Sequence, residues 1–454
     1  MPTPIATELI AAIATPAGRG GIGIVRVSGP DLSRVVEGIV GRALTPRVAT
    51  IADFAGMHGE ILDRGLALYF PAPASYTGET VLELHCHGGP AVLAQVLRRC
   101  LDLGARLAEP GEFTKRAFLN GKIDLAQAEG VADLIDAATA TAARAAARSL
   151  TGAFSAEVRA LVDVLTELRM YTEAALDFPD EDIEFMRATD AGGKVARLRE
   201  RLDSIAARSH QGRLLRDGLD VVLIGQPNVG KSSLMNQLAG EDVAIVTPHA
   251  GTTRDAIRSS VEIRGIPLHV IDTAGLREST DPVERIGIER TWATIARADL
   301  ALIVTDARAA GDNADAAIVA RLPSALRRIV VRNKIDLAGI EPTRAESGGV
   351  AEEVWLSAKT GAGLELLRDA MLSAAGAHED MEGTFLARER HLAAMRDAAL
   401  HLETAARHLA TSPPPLELFA EELRGAQQAL AAITGEFSAD DLLGVIFSRF
   451  CIGK

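Results

Sequence analysis

Hydrophobic positions follow three different rhythms along the chain. Up to residue 120, short β-like runs (Ile22 to Val27, Gly65 to Phe70, Val81 to His85) alternate with Gly- and Pro-marked turns, which predicts a small α+β domain over 1–120. Residues 121–216 are rich in Ala, Leu, Glu and Arg and nearly free of Pro, the composition of helices. Within them Phe154, Val158, Leu161, Leu165 and Leu168 keep a 4-3-4-3 spacing, the stripe of a helix packed on other helices. Phe178-Pro179-Asp180 breaks that pattern. Over 217–378 short apolar runs (Val221 to Ile224, Leu268 to Ile271, Leu300 to Val304, Ile329 to Val331) alternate with helical stretches, as in a parallel α/β sheet. The helical rhythm returns over 379–454, where Leu392, Met395, Ala399, Leu402, Ala406 and Leu409 form a second stripe, ended by Pro413-Pro414-Pro415. Helices on both sides of the α/β segment predict one helical domain, 121–216 plus 379–454, with the α/β domain inserted in it.

Composition narrows the class. At 454 residues the chain exceeds a single core, and 48% hydrophobic with 24% charged residues is an ordinary globular balance. Lys and Arg number 48 against 61 Asp and Glu, a net charge of −13. So acidic a chain is a poor match for phosphate backbones, and any nucleic-acid contact is expected to be local or held by a partner. Three cysteines without a CxxC exclude a disulfide scaffold and a cysteine-only zinc site, and fit a reducing compartment. No apolar run approaches the roughly 18 residues of a membrane span. Nor does the N-terminus have the form of a signal peptide, so a cytoplasmic protein is expected.

The chemistry concentrates in the α/β segment. Gly225-Gln226-Pro227-Asn228-Val229-Gly230-Lys231-Ser232 follows a predicted strand and opens a predicted helix, the context of a phosphate-binding loop. Backbone N–H groups from Asn228 to Ser233 would meet the phosphates, Lys231 would reach the outer ones, and the Ser232 hydroxyl would ligate Mg²⁺. Asn333-Lys334-Ile335-Asp336 follows a later strand-like run. A carboxylate at Asp336 can accept two parallel hydrogen bonds from guanine, which adenine does not offer. Asp272-Thr273-Ala274-Gly275 and Ser357-Ala358-Lys359 stand in the same order along the chain, each closing a strand-like run. Asp272 would meet Mg²⁺ through its water shell, and the Gly275 N–H would sense the γ-phosphate. Gly251-Thr252-Thr253-Arg254-Asp255 supplies the remaining switch, with Thr253 as second protein ligand of Mg²⁺. Together these predict a GTP-binding domain.

Water activation is not explained by these motifs. Many GTPases place a glutamine directly after D-x-x-G, and here that position is Leu276. Glu278, Asp281, Glu284 and Glu289 lie downstream as alternative carboxylates, and Arg254 and Arg277 as nearby cations.

The P-loop and switch motifs, followed by Leu276-Arg277-Glu278 and the run Val283 to Glu289, resemble the MnmE (TrmE) family of bacterial tRNA-modification GTPases. The resemblance covers essentially the whole chain. Gly18 to Gly23, Ser75 to Glu79, Leu84 to Gly89 and Pro110 to Asn120 are similar to its N-terminal domain. Asp124 to Glu129 and Asp177 to Asp180 are similar to its helical domain, and Cys451-Ile452-Gly453-Lys454 to its C-terminal signature. The resemblance implies a Ras-like P-loop G domain with a mostly parallel sheet, inserted in an all-α domain behind an N-terminal α+β folate-binding-like domain. It implies a homodimer through the N-terminal domain, and K⁺ in place of an arginine finger. The K⁺ ligands would be Asn228, the carbonyls of Thr247 and His249, and Thr252, with Thr247 and Thr252 also joining the GTP contacts. The water-orienting carboxylate maps onto Glu284.

The resemblance further implies a 5-formyltetrahydrofolate-like one-carbon donor at Arg26, Glu83, Lys122 and Lys454. Arg and Lys suit the ligand's carboxylates, and Glu83 suits a pterin edge. It also implies an FAD-dependent partner of the MnmG (GidA) type in a heterotetramer. The product would be a carboxymethylaminomethyl or aminomethyl group at C5 of the wobble uridine of certain tRNAs.

Two patterns mislead. Gly18 to Gly23 satisfies G-x-G-x-x-G, but a β-like run follows it where a dinucleotide site needs a helix. His85 and His87 share a strand face opposite Cys86, without a companion ligand pair at metal spacing. Cys451 is expected to pack as a small hydrophobe. The competing reading is a ribosome-associated regulatory GTPase without modification chemistry. Such proteins usually carry a basic RNA-binding module, which this sequence lacks.

Overall fold

The computed structural model describes residues 8–177, 190–239, 258–272, 292, 295–296, 298–309, 319–324, 326–347, 351–376, 383–436, 440–448 and 450–453. The break at Phe178-Pro179-Asp180 lies outside them. The chain divides into two compact units. One is residues 1–132 with 150–167 and 424–454, the other residues 133–149 with 168–423.

The first unit opens with β1 (Ile10–Ile13), β2 (Gly23–Gly29), α1 (Ser33–Val40), β3 (Thr50–Ala55), β4 (Ile61–Phe70) and β5 (Thr80–Cys86). Then come α2 (Pro90–Asp102), β6 (Arg106–Leu107) and α3 (Glu112–Leu119). The six strands form one sheet in the order β3-β4-β5-β2-β1-β6, antiparallel except for β1 with β6. Period-2 alternation gives it two unlike faces. Val25, Val27, Leu82, Leu84 and Phe54 point inward onto Val35 and Ile39 of α1 and Val96 and Cys100 of α2. Arg26, Glu83 and His85 therefore fall on the opposite face, where register sets Arg26 directly across from Glu83.

A buried ion network ties loop 75–79 to α3 beside this sheet. Arg116, 3% exposed, donates to Glu79 at 2.9 Å, to Glu112 at 3.0 Å and to the Glu8 carbonyl at 3.0 Å. Arg106 donates to Glu112 from two nitrogens, at 2.6 and 2.8 Å, and Ser28 Oγ to Glu79 at 2.8 Å. Buried charges persist only when partnered in this way. Leu125 and Ala128 pack with Leu443, Ile446, Phe447 and Phe450 in a separate apolar cluster of the same unit.

Helices follow: α4 (Leu125–Asp136), α5 (Ala140–Leu150), α6 (Ala153–Asp177) and α7 (Ala191–Asp217). The stripe Phe154, Val158, Leu161, Leu165 and Leu168 is buried along α6, as its spacing predicts. One glycine, Gly218, then leads into β7 (Leu219–Ile224) and α8 (Lys231–Ala239). The sheet of the second unit continues with β8 (Arg258–Ile263), β9 (Ile266–Asp272), β10 (Leu300–Asp306) and β11 (Arg327–Asn333). It ends with α9 (Ile335–Ala338), β12 (Thr343–Ser347), β13 (Ala351–Trp355) and α10 (Leu364–Ala374). Strand order is β12-β13-β11-β10-β7-β9-β8, parallel throughout except for the two edge pairs β12/β13 and β8/β9. The central strands read as continuous apolar runs because both faces are covered.

One covering helix comes from far upstream. Ala142, Ala145 and Ala146 of α5 belong to the same core as Val221, Leu223, Leu268 and Val270. Thr139 Oγ donates to the Gly265 carbonyl at 2.8 Å, at the tip of the β8/β9 hairpin. Gly265 sits at φ +87, and a Cβ there would lie 2.6 Å from Thr141 Oγ1.

The chain ends in α11 (Glu389–Leu409), α12 (Leu416–Thr434) and α13 (Asp440–Ser448). Helix α11 packs along α7. Its buried stripe is His391, Met395, Ala398, Leu402 and Ala405. This corrects the expected positions Leu392, Ala399 and Ala406 by one residue each. Adjacent alanines look alike in the sequence, so the 3.6 period alone leaves the face ambiguous there.

Gly212 of α7 permits the closest approach in this region, since a Cβ there would lie 1.7 Å from the Phe385 carbonyl oxygen. Gly212→Ala is expected to cost at least about 2–3 kcal/mol and lower the melting temperature by several degrees. Gly192→Ala in the same helix meets nothing within 4 Å. It should leave stability unchanged or raise it by up to about 1 kcal/mol, the difference in helix propensity, with the melting temperature equal to or above that of the wild type.

The ion network predicts an acid limb. Burial works against the Glu112 charge, but bonds from Arg106, the Glu109 N–H and Arg116 outweigh it and lower the pKa from 4.5 to about 2. The carboxylate's stabilisation is thus whole above pH 4.5 and is lost as pH falls toward 2. Urea melts across that range should show wild type losing stability more steeply than Glu112→Gln. At neutral pH the variant should be weaker by about 3 kcal/mol, because Arg106 and Arg116 each lose one charged partner, keeping only Glu8 and Glu79 respectively.

Candidate functional site

The nucleotide motifs converge at the carboxyl end of the second unit's parallel strands. Strands β7, β10 and β11 run parallel, with Ile224 in register with Ile303 and Asp306 with Asn333. Asp272 closes β9 opposite Leu223. The loop after β7, the ends of β9 and β10, and the Asn333 tetrapeptide therefore lie together at the carboxyl ends of parallel strands, where open α/β sheets bind ligands.

The phosphate loop is shaped by two close approaches. A Cβ at Gly225 would meet the Val304 carbonyl at 2.4 Å, and one at Gly230 would meet Asn333 Nδ2 at 2.3 Å. Asn228 takes φ +66, tolerable for an asparagine, and is exposed at the loop tip. Lys231 Nζ donates to the carbonyls of Gly225 at 2.6 Å and Gln226 at 3.0 Å, bracing the loop across its mouth. An ammonium has three N–H groups, so one remains for a phosphate oxygen. Ser232 and Ser233 are exposed in the first turn of α8, whose N-terminal N–H groups favour anions. The Asn228 and Ser232 oxygens are hard donors of the kind Mg²⁺ and K⁺ take, and both face solvent at the loop, so the described part of the ion sites fits such cations.

Asn333 joins the pieces. It is 2% exposed, donates from Nδ2 to the Val229 carbonyl at 2.7 Å, and accepts at Oδ1 from the Lys334 and Ala358 N–H groups, both at 2.8 Å. Ser357 Oγ donates to Asp336 Oδ1 at 2.6 Å and so orients the predicted base-reading carboxylate. Ala358 is buried and Lys359 exposed. Lys334, at φ +70, donates from Nζ to Asp306 Oδ2 at 3.0 Å. The structure thus brings together Val229, Gly230, Lys231, Asn333, Lys334, Asp336, Ser357 and Ala358. Thr247, His249, Thr252, Thr253, Gly275 and Leu276 lie outside the described residues, as do the alternatives Arg254, Arg277, Glu278, Asp281, Glu284 and Glu289.

The first unit carries the second constellation. Arg26 Nε donates to Glu83 Oε1 at 2.9 Å, and His85 Nε2 lies 3.4 Å from Glu83 Oε2. The Arg26 guanidinium stands 5.6 Å from the ring centroids of both Tyr76 and Phe113, a stack that the sequence reading missed. Tyr76 is held by a 2.8 Å bond between its hydroxyl and Thr114. Lys122 is bonded elsewhere, from Nζ to the Pro73 carbonyl at 3.1 Å, with its stem against Gly78. Lys454 lies outside the described residues, but the chain leading to it is placed. Ile452 bridges to Pro110, and a Cβ at Gly453 would meet the Ile13 carbonyl at 2.3 Å. The tail therefore runs beside β1, whose Ala12 pairs with Arg26.

The misleading patterns resolve locally. Gly23 begins β2, so Gly18 to Gly23 leads into a strand. Cys86 is buried, which pushes its thiol up to about 12, whereas His87 is exposed and bonds Asp63 at 2.7 Å. Among the described residues no three His, Cys, Asp or Glu side chains are grouped to hold a metal. Cys451 corrects the expectation of a packed hydrophobe. It is exposed, because the tail is anchored by backbone, its carbonyl accepting from Gly111 N–H at 3.3 Å.

Comparison with known proteins identifies the family. Residues 9–122 match the family model described as the GTP-binding protein TrmE N-terminus, and residues 125–451 match the MnmE helical domain. The chain is 61% identical over 448 residues to the tRNA modification GTPase MnmE of Azoarcus sp. (strain BH72), covering 98% of both chains. It is 60% identical to the protein of that name from Ralstonia nicotianae, covering 99% of this chain and 98% of the relative. With that from Dechloromonas aromatica it shares 59%, covering 99% and 100%. Two family models that together span most of the chain and identity of this degree over nearly its full length lead to one conclusion: the chain belongs to the MnmE family of tRNA modification GTPases.

Proposed function

We propose that this chain hydrolyses GTP to drive a tRNA-modifying complex that alters C5 of the wobble uridine, installing a carboxymethylaminomethyl or aminomethyl group. The observation that carries the GTPase part is the Asn333 junction, which holds phosphate loop and base loop in one piece. The tRNA part rests on the relatives' shared name.

In this reading Asp336 accepts the guanine ring N–H and amine, Lys231 and the N-terminus of α8 take the phosphates, and Glu284 orients the attacking water. Mg²⁺, held by Ser232 and Thr253, and K⁺, held by Asn228, Thr247, His249 and Thr252, supply positive charge where it develops on the phosphates. The G domain spans 217–378, inserted between helical segments 121–216 and 379–454. The packing of α11 on α7 and the contact of Gly212 with Phe385 support that arrangement. Arg26, Glu83, Lys122 and Lys454 receive the reduced folate in the 1–120 domain, through which two copies pair. The course of the C-terminal tail beside β1 supports the inclusion of Lys454.

Flavin chemistry and much of the tRNA surface belong to an MnmG-type partner in the cytoplasm, a division that the net charge of −13 favours. Among the described residues no helix is long and apolar enough to cross a membrane.

Two measurements test this reading. Asp336→Asn should weaken GTP binding by about 10- to 100-fold, the worth of charge-assisted bonds. The same variant should improve binding of xanthosine triphosphate, whose edge presents a carbonyl where guanine presents an amine. In a second assay, GTP turnover in KCl should exceed turnover in NaCl at equal ionic strength, and Glu284→Ala should remove about a hundredfold of it while GTP still binds. Equal slow rates in both salts would overturn the K⁺ assignment.

A further inference from the structure

The base-reading tetrapeptide leans on a side chain outside the motifs. Asp306 is the last residue of β10, in register with Asn333, and the neighbouring Ala307 N–H donates to the Asn333 carbonyl at 2.7 Å. The Asp306 carboxylate is filled on both oxygens. Oδ1 accepts from the Arg308 N–H and Nε, each at 3.0 Å, and Oδ2 from Arg308 Nη2 at 2.7 Å and Lys334 Nζ at 3.0 Å. It is 16% exposed, against 26% for Lys334 and 52% for Arg308.

Lys334 is therefore tied at both ends. Its backbone N–H is fixed on Asn333 Oδ1 at 2.8 Å in a left-handed conformation, and its ammonium is fixed on Asp306. Between these anchors the four-carbon stem has little freedom, and lysine otherwise carries one of the largest rotamer entropies of any side chain. A lysine stem held straight is an apolar strip, suited to the flat face of an aromatic ring. It lies two residues from Asp336, the group that reads the ring's edge.

We propose that Asp306 is a positioning residue for guanine-nucleotide binding, holding the Lys334 ammonium so that the lysine stem is preset as one wall of the base site. The proposal rests on the GTP reading of this site. Presetting removes an ordering cost that nucleotide would otherwise meet on binding. It acts on residence time more than on hydrolysis, because Asp306 is bonded to Lys334 and Arg308 and not to the phosphate loop. Arg308 shares the carboxylate and helps keep it ionised: its side-chain bonds are the largest influence holding the Asp306 pKa far below the usual range, with Lys334 contributing.

The test uses the full chain and the release of a fluorescent (methylanthraniloyl) GDP in the wild type, D306N, K334A, D306N/K334A and R308A. D306N and K334A should each speed release about tenfold, the worth of a charge-assisted bond. The double variant should be no faster than the faster single one, because both remove the same preset strip. R308A, which leaves Lys334 its partner, should change release less than threefold. In D306N, kcat at saturating GTP should stay within twofold, and preference for guanine over hypoxanthine nucleotides should be unchanged. D306E should recover part of the slow release.

Unchanged release in D306N would overturn the proposal. So would single effects that multiply to about a hundredfold in the double variant, or R308A matching D306N. Faster release accompanied by loss of base preference or of kcat would likewise overturn it, since that marks general collapse of the loop. Failure of the wild type to retain GDP at all would sink the GTP reading itself, a distinct outcome.

Discussion

The nucleotide site hangs on one buried amide. Asn333 gives both ends of its side chain to backbone groups of three separate loops, those following β7, β11 and β13. In water these groups would wander independently. At the carboxyl end of the strands they are fixed to one another by bonds that have no solvent competitor. The constraint propagates outward. Because Nδ2 occupies the space beside Gly230, the phosphate loop has no room for a side chain there, and because Oδ1 takes two N–H groups, the turn at Lys334 is forced into the left-handed region. Asp336 and Ser357 then face each other as a consequence.

The first unit uses a different bond to the same end. There the fixed point is ionic: Arg116 between Glu79 and Glu112, with Arg106 closing the chain. Such a network is expensive to bury and adds little net stability over an apolar core, but it admits few alternative arrangements. It sets the loop carrying Tyr76 and the helix carrying Phe113 and Thr114, so the stack around Arg26 is built on charge pairs beneath it. An amide suits a junction of backbone groups. Guanidinium–carboxylate pairs suit a junction of side chains.

Much of this was legible in the sequence where one residue type has one physical use. The Gly225 to Ser232 loop, the apolar runs of β7, β9, β10 and β11, and the stripe of α6 were readable because spacing and composition agree. The edge strands β8 and β12, and β13 beside β12, were not, since polar residues such as Arg258, Glu352 and Glu353 break up their alternation. The face of α11 was ambiguous because alanine signals neither core nor surface. Asp306 passed unnoticed, although it closes a strand-like run as Asp272 does, because no fixed spacing links it to Lys334. Tyr76 and Phe113 lie 37 residues apart in sequence and meet only over Arg26.

The docking of α5 changes what an inserted domain means here. A module hung on two linkers would cover its own sheet, yet three alanines of α5 fill part of that role for β7 and β9. Alanine is the residue that lets a helix approach a sheet closely, and Gly265 at the hairpin tip allows the same approach at the end of the helix. The β8/β9 hairpin lies between the two switch motifs in sequence, with Gly251 to Asp255 before it and Asp272 to Gly275 after it. Its tip is gripped by Thr139 and Thr141, and its Arg264 reaches Asp369 of α10 at 2.7 Å. Any tilt of β8 and β9 must therefore be shared by a helix that lies outside the nucleotide-binding segment, because close-packed contacts of this kind transmit displacement and do not absorb it.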